Sequence, residues 1–245
     1  MDSSSSALPS TDKDDVFLLP PSLQHARINT LPEAAYYIPN FITEQEEQNI
    51  LDKISSAPKP RWKQLTKRRL QTWPSDLVNN KLLEAPLPLW LQDPVISRLL
   101  SMPSHDSSSA NIFERSPHKK PNHVLINEYP PGIATVSLGA SLCLNLHRSK
   151  EDGALDPGPA WRILQEPRSL LITTSELYTD YLHGIADIEE DVDLSAETVS
   201  NWDLLGSPDV YANGRNIRQT RTSLTYRDVL QVSKVANKLG IFLKR

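Results

Sequence analysis

The sequence predicts an α+β protein whose helices come first and pack on one face of a β-rich core, a sandwich or jelly roll. Three observations predict it. Apolar residues recur at helical spacing only ahead of Pro103. From Asn122 onward they fall in short runs rich in β-branched and aromatic residues. Turn-forming residues separate those runs, and there is no internal repeat.

Composition bounds the reading. The chain has 245 residues, with 20 prolines against 8 glycines, so proline-rich connections outnumber glycine hinges. That length fits one domain with extensions. Lys plus Arg is 26 and Asp plus Glu is 30. A net charge of -4 excludes a chain basic throughout but leaves room for a local basic patch. No apolar run reaches the ~18 residues of a membrane helix. The start, MDSSSSALPSTDKDD, has neither the basic residues nor the apolar stretch of a secretory signal. Cys143 is the one cysteine, which excludes a disulfide framework or a multi-cysteine zinc site and fits a reducing compartment. A monomer is expected, with no membrane partner.

Four parts follow in order. Residues 1–33 form a disordered or extended arm, Ser- and Asp-rich over 1–15 and proline-interrupted over 16–33. Residues 34–120 form a helical and lid extension. It opens on a short strand, Tyr36-Tyr37-Ile38-Pro39, and a helix capped by Thr43 with Glu46 three residues on. Ile50, Leu51 and Ile54 stripe that helix, which stops at Pro58. Residues 59–73, KPRWKQLTKRRLQTW, carry six basic groups and no acidic one, flanked by Trp62 and Trp73. A second helix is expected over 86–102, with Pro94 in its first turn, and a mobile loop over 103–120. Residues 121–230 form the β core. Strands are expected over 123–129, 133–138, 142–146, 161–164, 169–173 and 218–227, with a short helix or turn over 175–182. Residues 187–203 carry seven acidic groups and no basic one, the pattern of a solvated loop. Residues 231–245 form a tail.

Three constellations could carry chemistry. Side chains alternate along a strand, so Arg221, Ser223, Thr225 and Arg227 share one face. Two guanidinium groups there can grip the ends of a small dicarboxylate through paired hydrogen bonds. The alternative is the polar outer face of an edge strand. Asn127 and Tyr129 share a face beside Pro130-Pro131-Gly132, and could hydrogen-bond the same acid or satisfy their own turn. His183 follows an apolar stretch, and is either an iron ligand or a packing residue.

In this order, Asn127-x-Tyr129, Ser137-Leu138-Gly139, His183, Arg221 and Arg227 resemble the AlkB family of Fe(II)/2-oxoglutarate dioxygenases, over roughly residues 34–230. The runs 36–42, 57–62 and 122–129 are similar to one mammalian-type branch of it. The resemblance implies a double-stranded β-helix (jelly roll) core with N-terminal helices on one face. It implies Fe(II) on two His and one carboxylate, 2-oxoglutarate as cosubstrate, and oxidative demethylation of a nucleobase. By motif, Arg221 would hold the distal carboxylate of 2-oxoglutarate, with Arg227 nearer the metal-chelating end. Asn127 and Tyr129 would complete that site, and His183 would be the distal iron ligand. Lys59, Arg61, Trp62, Lys63, Lys67, Arg68 and Arg69 would form a nucleic-acid-binding lid, the cations neutralising phosphates and a tryptophan stacking on a base. A hairpin with both tryptophans in the core is the other reading of that run. The resemblance also implies residence in cytoplasm and nucleus.

One departure bears on activity. The family carries a His-x-Asp motif between the Asn-x-Tyr and Ser-Leu-Gly strands, and it supplies two iron ligands. Here Tyr129-Pro130-Pro131-Gly132 runs directly into Ile133-Ala134-Thr135-Val136. None of the six histidines is followed two residues later by Asp or Glu. His147 and Cys143, four apart on one strand face, are the candidate replacements. Distortion is expected at the Pro-Pro-Gly junction. Three readings stay open: a catalytically impaired AlkB-like dioxygenase, a non-catalytic nucleic-acid-binding module, and a protein-directed oxygenase.

Overall fold

The computed structural model describes residues 18–31, 35–66, 68–129, 136–148, 158–174, 177 and 180–233. The junction 130–135 and Lys67 lie outside them, as do residues 1–17 and 234–245. Strand β1 (Ala35–Ile38) leads into helix α1 (Glu44–Ser55). Thr43 Oγ1 accepts the Glu46 N–H at 3.2 Å, and the Glu46 carboxylate accepts the Thr43 N–H at 2.8 Å. This is the reciprocal capping box that the sequence predicts. Arg98 then donates two nitrogens to the same carboxylate at 2.8 and 2.7 Å, tying α1 to a later helix.

Strands β2 (Lys63–Gln64), β3 (Arg69–Trp73), β4 (Leu77–Val78) and β5 (Lys81–Leu83) precede helices α2 (Leu89–Gln92) and α3 (Val95–Ser101). The single helix expected over 86–102 is therefore two. Asp93, just before Pro94, is forced into extended backbone (φ -111°, ψ 131°), which ends α2. The core contains β6 (His123–Tyr129), β7 (Val136–Leu138), β8 (Leu142–Arg148), β9 (Trp161–Gln165), β10 (Leu170–Thr173), β11 (Tyr181–Gly184), β12 (Glu190–Asp191), β13 (Asn216–Ile217), β14 (Arg221–Arg227) and β15 (Val232–Ser233).

The main sheet runs β1-β10-β7-β14-β6-β3-β2, and a smaller one runs β11-β8-β9. β14 is thus central, not an edge strand. Register pairs Leu224 with Ile126 and Thr222 with Leu138, so Leu224, Ile126 and Leu138 share one face. That face packs on Ile50, Ile54, Leu91, Val95, Ile96 and Leu99 of the helices. The opposite face, with Tyr37 and Leu171, packs on Leu144, Leu146 and Ile163 of the smaller sheet. The architecture is a mixed, β-rich core with helices on one side.

Three expectations change. Residues 18–31 are not an extended arm: Leu23–Ala26 form a 3-10 turn, and Leu23, Ile28 and Leu31 are buried. Over 175–182, Leu177 is helical and Asp180 lies in a turn, as expected, but Tyr181 and Leu182 already belong to strand β11, which pairs with β8. The acidic stretch 187–203 is not a solvated loop. Asn201 and Ser200 cover the outer edge of β9, through Leu164 N–H to Asn201 Oδ1 (2.9 Å), Asn201 Nδ2 to Leu164 O (2.8 Å) and Ser200 N–H to Arg162 O (2.8 Å). Asp191 accepts Arg218 Nη2 at 2.6 Å and Arg218 Nε at 3.1 Å, with both side chains no more than 2% exposed. Charge counting alone missed this because the partner cation lies 27 residues along the chain.

Removing one member of a buried ion pair leaves the other uncompensated. Asp191→Ala should lower unfolding stability by about 3–5 kcal/mol in urea melts. Glu190→Gln, which removes a mostly exposed pair with Arg215, should cost under about 1 kcal/mol.

Candidate functional site

Strand parity builds the site. Arg221 lies opposite Tyr129, Ser223 opposite Asn127, and Ser223 opposite Ser137 on the other flank. All five therefore share the face of the main sheet that looks toward the smaller sheet. Arg221 is 1% exposed. Its Nε donates to Ser137 Oγ at 2.7 Å and its Nη2 donates to Gln165 Oε1 at 3.0 Å, the latter reaching across to β9. Burial pushes the guanidinium's pKa down to about 9, and nearby Arg218 adds to the effect. Burial likewise raises the Tyr129 phenol, against the pull of Arg68 and Arg221.

Around Arg221, three buried polar atoms have no hydrogen-bond partner: Asn127 Oδ1, Ser223 Oγ and Gln165 Nε2. Each unsatisfied buried polar atom costs about 1–3 kcal/mol, so a cluster of three points to a polar ligand. A carboxylate fits. It accepts from Gln165 Nε2, from the Ser223 hydroxyl, and from Asn127 once the amide turns over to present Nδ2. The residues present suit the anionic end of 2-oxoglutarate.

They do not suit iron. Among the described residues, no three His, Cys, Asp or Glu side chains form a group that could hold a metal ion. Register places His183 opposite Leu146 and His147 opposite Leu182. Residues 146 and 147 are consecutive on β8, so His183 and His147 point to opposite faces of the smaller sheet. Cys143 shares the His147 face, is buried, and has its thiol pushed up to about 11 by that burial. The proposed replacements thus face away from His183. His183 itself is exposed and hydrogen-bonds through Nε2 to Leu177 O at 2.8 Å.

Arg227 is not brought to Arg221. The two stand at opposite ends of β14, about 20 Å apart at strand rise. Arg227 Nε instead meets His123 Nδ1 at 3.3 Å.

The basic run is largely self-satisfied. The Arg69 guanidinium lies 4.0 Å from the Trp62 ring centroid and pairs with Glu128 at 2.5 and 2.9 Å. Arg61 lies 4.2 Å from the Trp73 centroid and donates to Pro74 O at 3.0 Å. Lys63 pairs with Asp76 at 2.5 Å. Both tryptophans are half-buried against the helical core, and Trp73 packs edge-on to Trp90. Each thus has a ring face covered by the chain's own arginine, the arrangement of a core-anchored hairpin. Lys59 is exposed. Arg68, at the hairpin's turn, lies 5.5 Å from the Tyr129 centroid.

Sequence reading missed Gln165, whose signal is parity: it lies two residues beyond the inward-facing Ile163. Ser137 sits in the Ser-Leu-Gly motif, but its role emerges only from its contact with Arg221.

His123 gives a pH prediction. Burial and Arg227 lower its pKa from 6.5 to about 4. The unfolded chain therefore takes the proton first. The stabilisation is full above pH 6.5 and is lost as pH falls through about 4. Urea melts at pH 7 and 4.5 should show roughly 2–3 kcal/mol of the wild-type loss absent from His123→Gln.

No protein-family model matches the chain. A Danio rerio protein described as "Probable RNA/DNA demethylase ALKBH6" is 32% identical to it over 235 residues, spanning 87% of this chain and 93% of that protein. Identity at that level over nearly both full lengths, with the Asn-x-Tyr, Ser-Leu-Gly and arginine strands adjacent in one sheet, places the chain in the AlkB family.

Proposed function

We propose that this chain is a jelly-roll member of the AlkB family that binds 2-oxoglutarate and contacts nucleic acid without oxidative turnover. The observation that carries the reading is the set of unsatisfied atoms on Asn127, Ser223 and Gln165 around the buried Arg221 guanidinium. When bound in a metal-loaded relative, 2-oxoglutarate supplies the reducing equivalents for oxygen activation. In this chain, Arg221 holds one carboxylate, and Gln165 and Ser223 donate to it. Tyr129 walls the same space from the strand beside Arg221. The two iron ligands that the family places in its His-x-Asp motif have no counterpart in the sequence, so binding is uncoupled from chemistry. The relative's description supplies the substrate class, RNA or DNA.

Calorimetry with the full chain tests this. 2-Oxoglutarate should bind equally with and without Mn(II), and Arg221→Met should weaken it by about tenfold or more. No formaldehyde should form from methylated RNA or DNA supplied with Fe(II). Binding that tightens with Mn(II), or measurable formaldehyde, would overturn the loss of turnover. Absence of 2-oxoglutarate binding would overturn the pocket.

The hairpin gives a second expectation. Asp76 and Glu128 neutralise two of the six cations in the basic run. Binding of single-stranded RNA should therefore fall with salt at a log–log slope of about -3 or shallower, against about -4 for six free cations. A steeper slope means the paired cations open onto the strand.

A further inference from the structure

We infer that the outward face of the β12–β13 ribbon is a docking surface for residues 234–245 of a second copy of this chain, so that copies associate head to tail. The inference does not rest on the proposed anion site.

The ribbon supplies the first argument. Asp191 and Asn216 lie opposite each other and turn inward, where Asp191 Oδ2 accepts from Asn216 Nδ2 at 3.0 Å and from Arg218 Nε at 3.1 Å. Alternation therefore turns the neighbouring pair, Glu190 and Ile217, outward. Val192, two residues past Glu190, takes the same face. Ile217 is 73% exposed and Val192 is 40% exposed, and Ile188 beside them is 43% exposed. A single exposed apolar residue is ordinary, but three gathered on one short ribbon form a patch of the kind that partners cover. Among the described residues, neither β12 nor β13 has a strand on its outer edge. An extended segment can add there.

Charge supplies the second argument. Asp191 is neutralised by Arg218, and Glu190 pairs with Arg215. Asp187, Glu189 and Asp193 remain exposed around the apolar centre, and residues 187–203 hold no cation. The fitting partner is thus apolar and basic. Residues 234–245, KVANKLGIFLKR, carry four basic groups and no acidic one around Leu239, Ile241, Phe242 and Leu243. An apolar centre with a rim of opposite charge is the usual anatomy of a specific contact.

Position supplies the third. β13 ends at Ile217, just ahead of β14, whereas β15 ends at Ser233, just past it. The two ends of β14 stand about 20 Å apart at strand rise. The ribbon and the origin of residues 234–245 therefore flank opposite ends of one strand. A segment leaving one end meets the ribbon of a copy stacked end to end without crossing its own molecule. Two different surfaces meet, so the contact is heterologous and can repeat.

The test is sedimentation velocity of the full chain over rising concentration. The wild-type mass should climb with concentration, in place of the expected monomer, and should fall back as salt rises and screens the rim charges. Ile217→Lys and Phe242→Ser should each weaken association about tenfold or more. Ile217→Lys should keep the wild-type melting midpoint, because the side chain it replaces is exposed. Mixing the two variants joins an intact ribbon on one to an intact segment on the other. That mixture should pair as tightly as wild-type copies do and stop at two copies. A wild-type chain that stays monomeric at every concentration would overturn the inference. So would association that both variants leave unchanged, or a mixture that fails to pair.

Discussion

Strands β6 and β7 flank β14 and both run antiparallel to it, so they run parallel to each other. Two parallel strands normally need a crossover of a dozen or more residues. Here only residues 130–135 separate Tyr129 from Val136. The short connection lies where the AlkB resemblance puts the His-x-Asp motif. The second sheet differs at its two outer edges. One outer edge of that sheet, β9, is closed by Ser200 and Asn201. The other, β11, carries Leu182 at 49% exposure and the exposed His183.

The proposed anion site does not draw on that connection. Its members come from β6, β7, β9 and β14, and none from the shortened connection. β14 is held on both flanks, which fixes Arg221, Ser137 and Asn127 relative to one another. Burying a guanidinium is costly unless hydrogen bonds and charge compensate it. Gln165 and Ser137 supply neutral acceptors. On the proposed reading, a carboxylate would add the compensating charge and satisfy the remaining donors together, linking ligand binding to the stability of the sheet interface through one side chain.

Much of the architecture was legible in local chemistry. The capping box at Thr43 and Glu46 marks α1 without tertiary information, and alternation places Asn127 with Tyr129 and Arg221 with Ser223 on shared faces. What sequence could not give was partners distant along the chain. Asp191 reads as one acid among seven until Arg218 folds back onto it. Leu23 and Ile28 read as a proline-broken arm until the core accepts them. Periodicity over 86–102 could not locate the break that Asp93 and Pro94 impose. The site was legible as a set of residue types, and the pairing of those residues was not. Arg221 and Arg227 are close in sequence and lie at opposite ends of a strand, whereas Arg68 is far in sequence and lies level with Tyr129.

The basic run shows why charge density is a weak guide to binding. Six cations in fifteen residues imply a strong positive field only while they face solvent unpaired. Folding turns alternate residues to opposite faces. Arg69 meets Glu128 and Trp62, Lys63 meets Asp76, and Arg61 covers Trp73. These contacts anchor the β2–β3 hairpin to the helical core and hold its turn beside Tyr129. A run that reads as a lid for a polyanion thus folds as a largely self-paired hairpin. On the proposed reading, anion binding needs only donors fixed by sheet register, whereas turnover needs the two iron ligands that the sequence lacks, so the short β6–β7 connection separates the two.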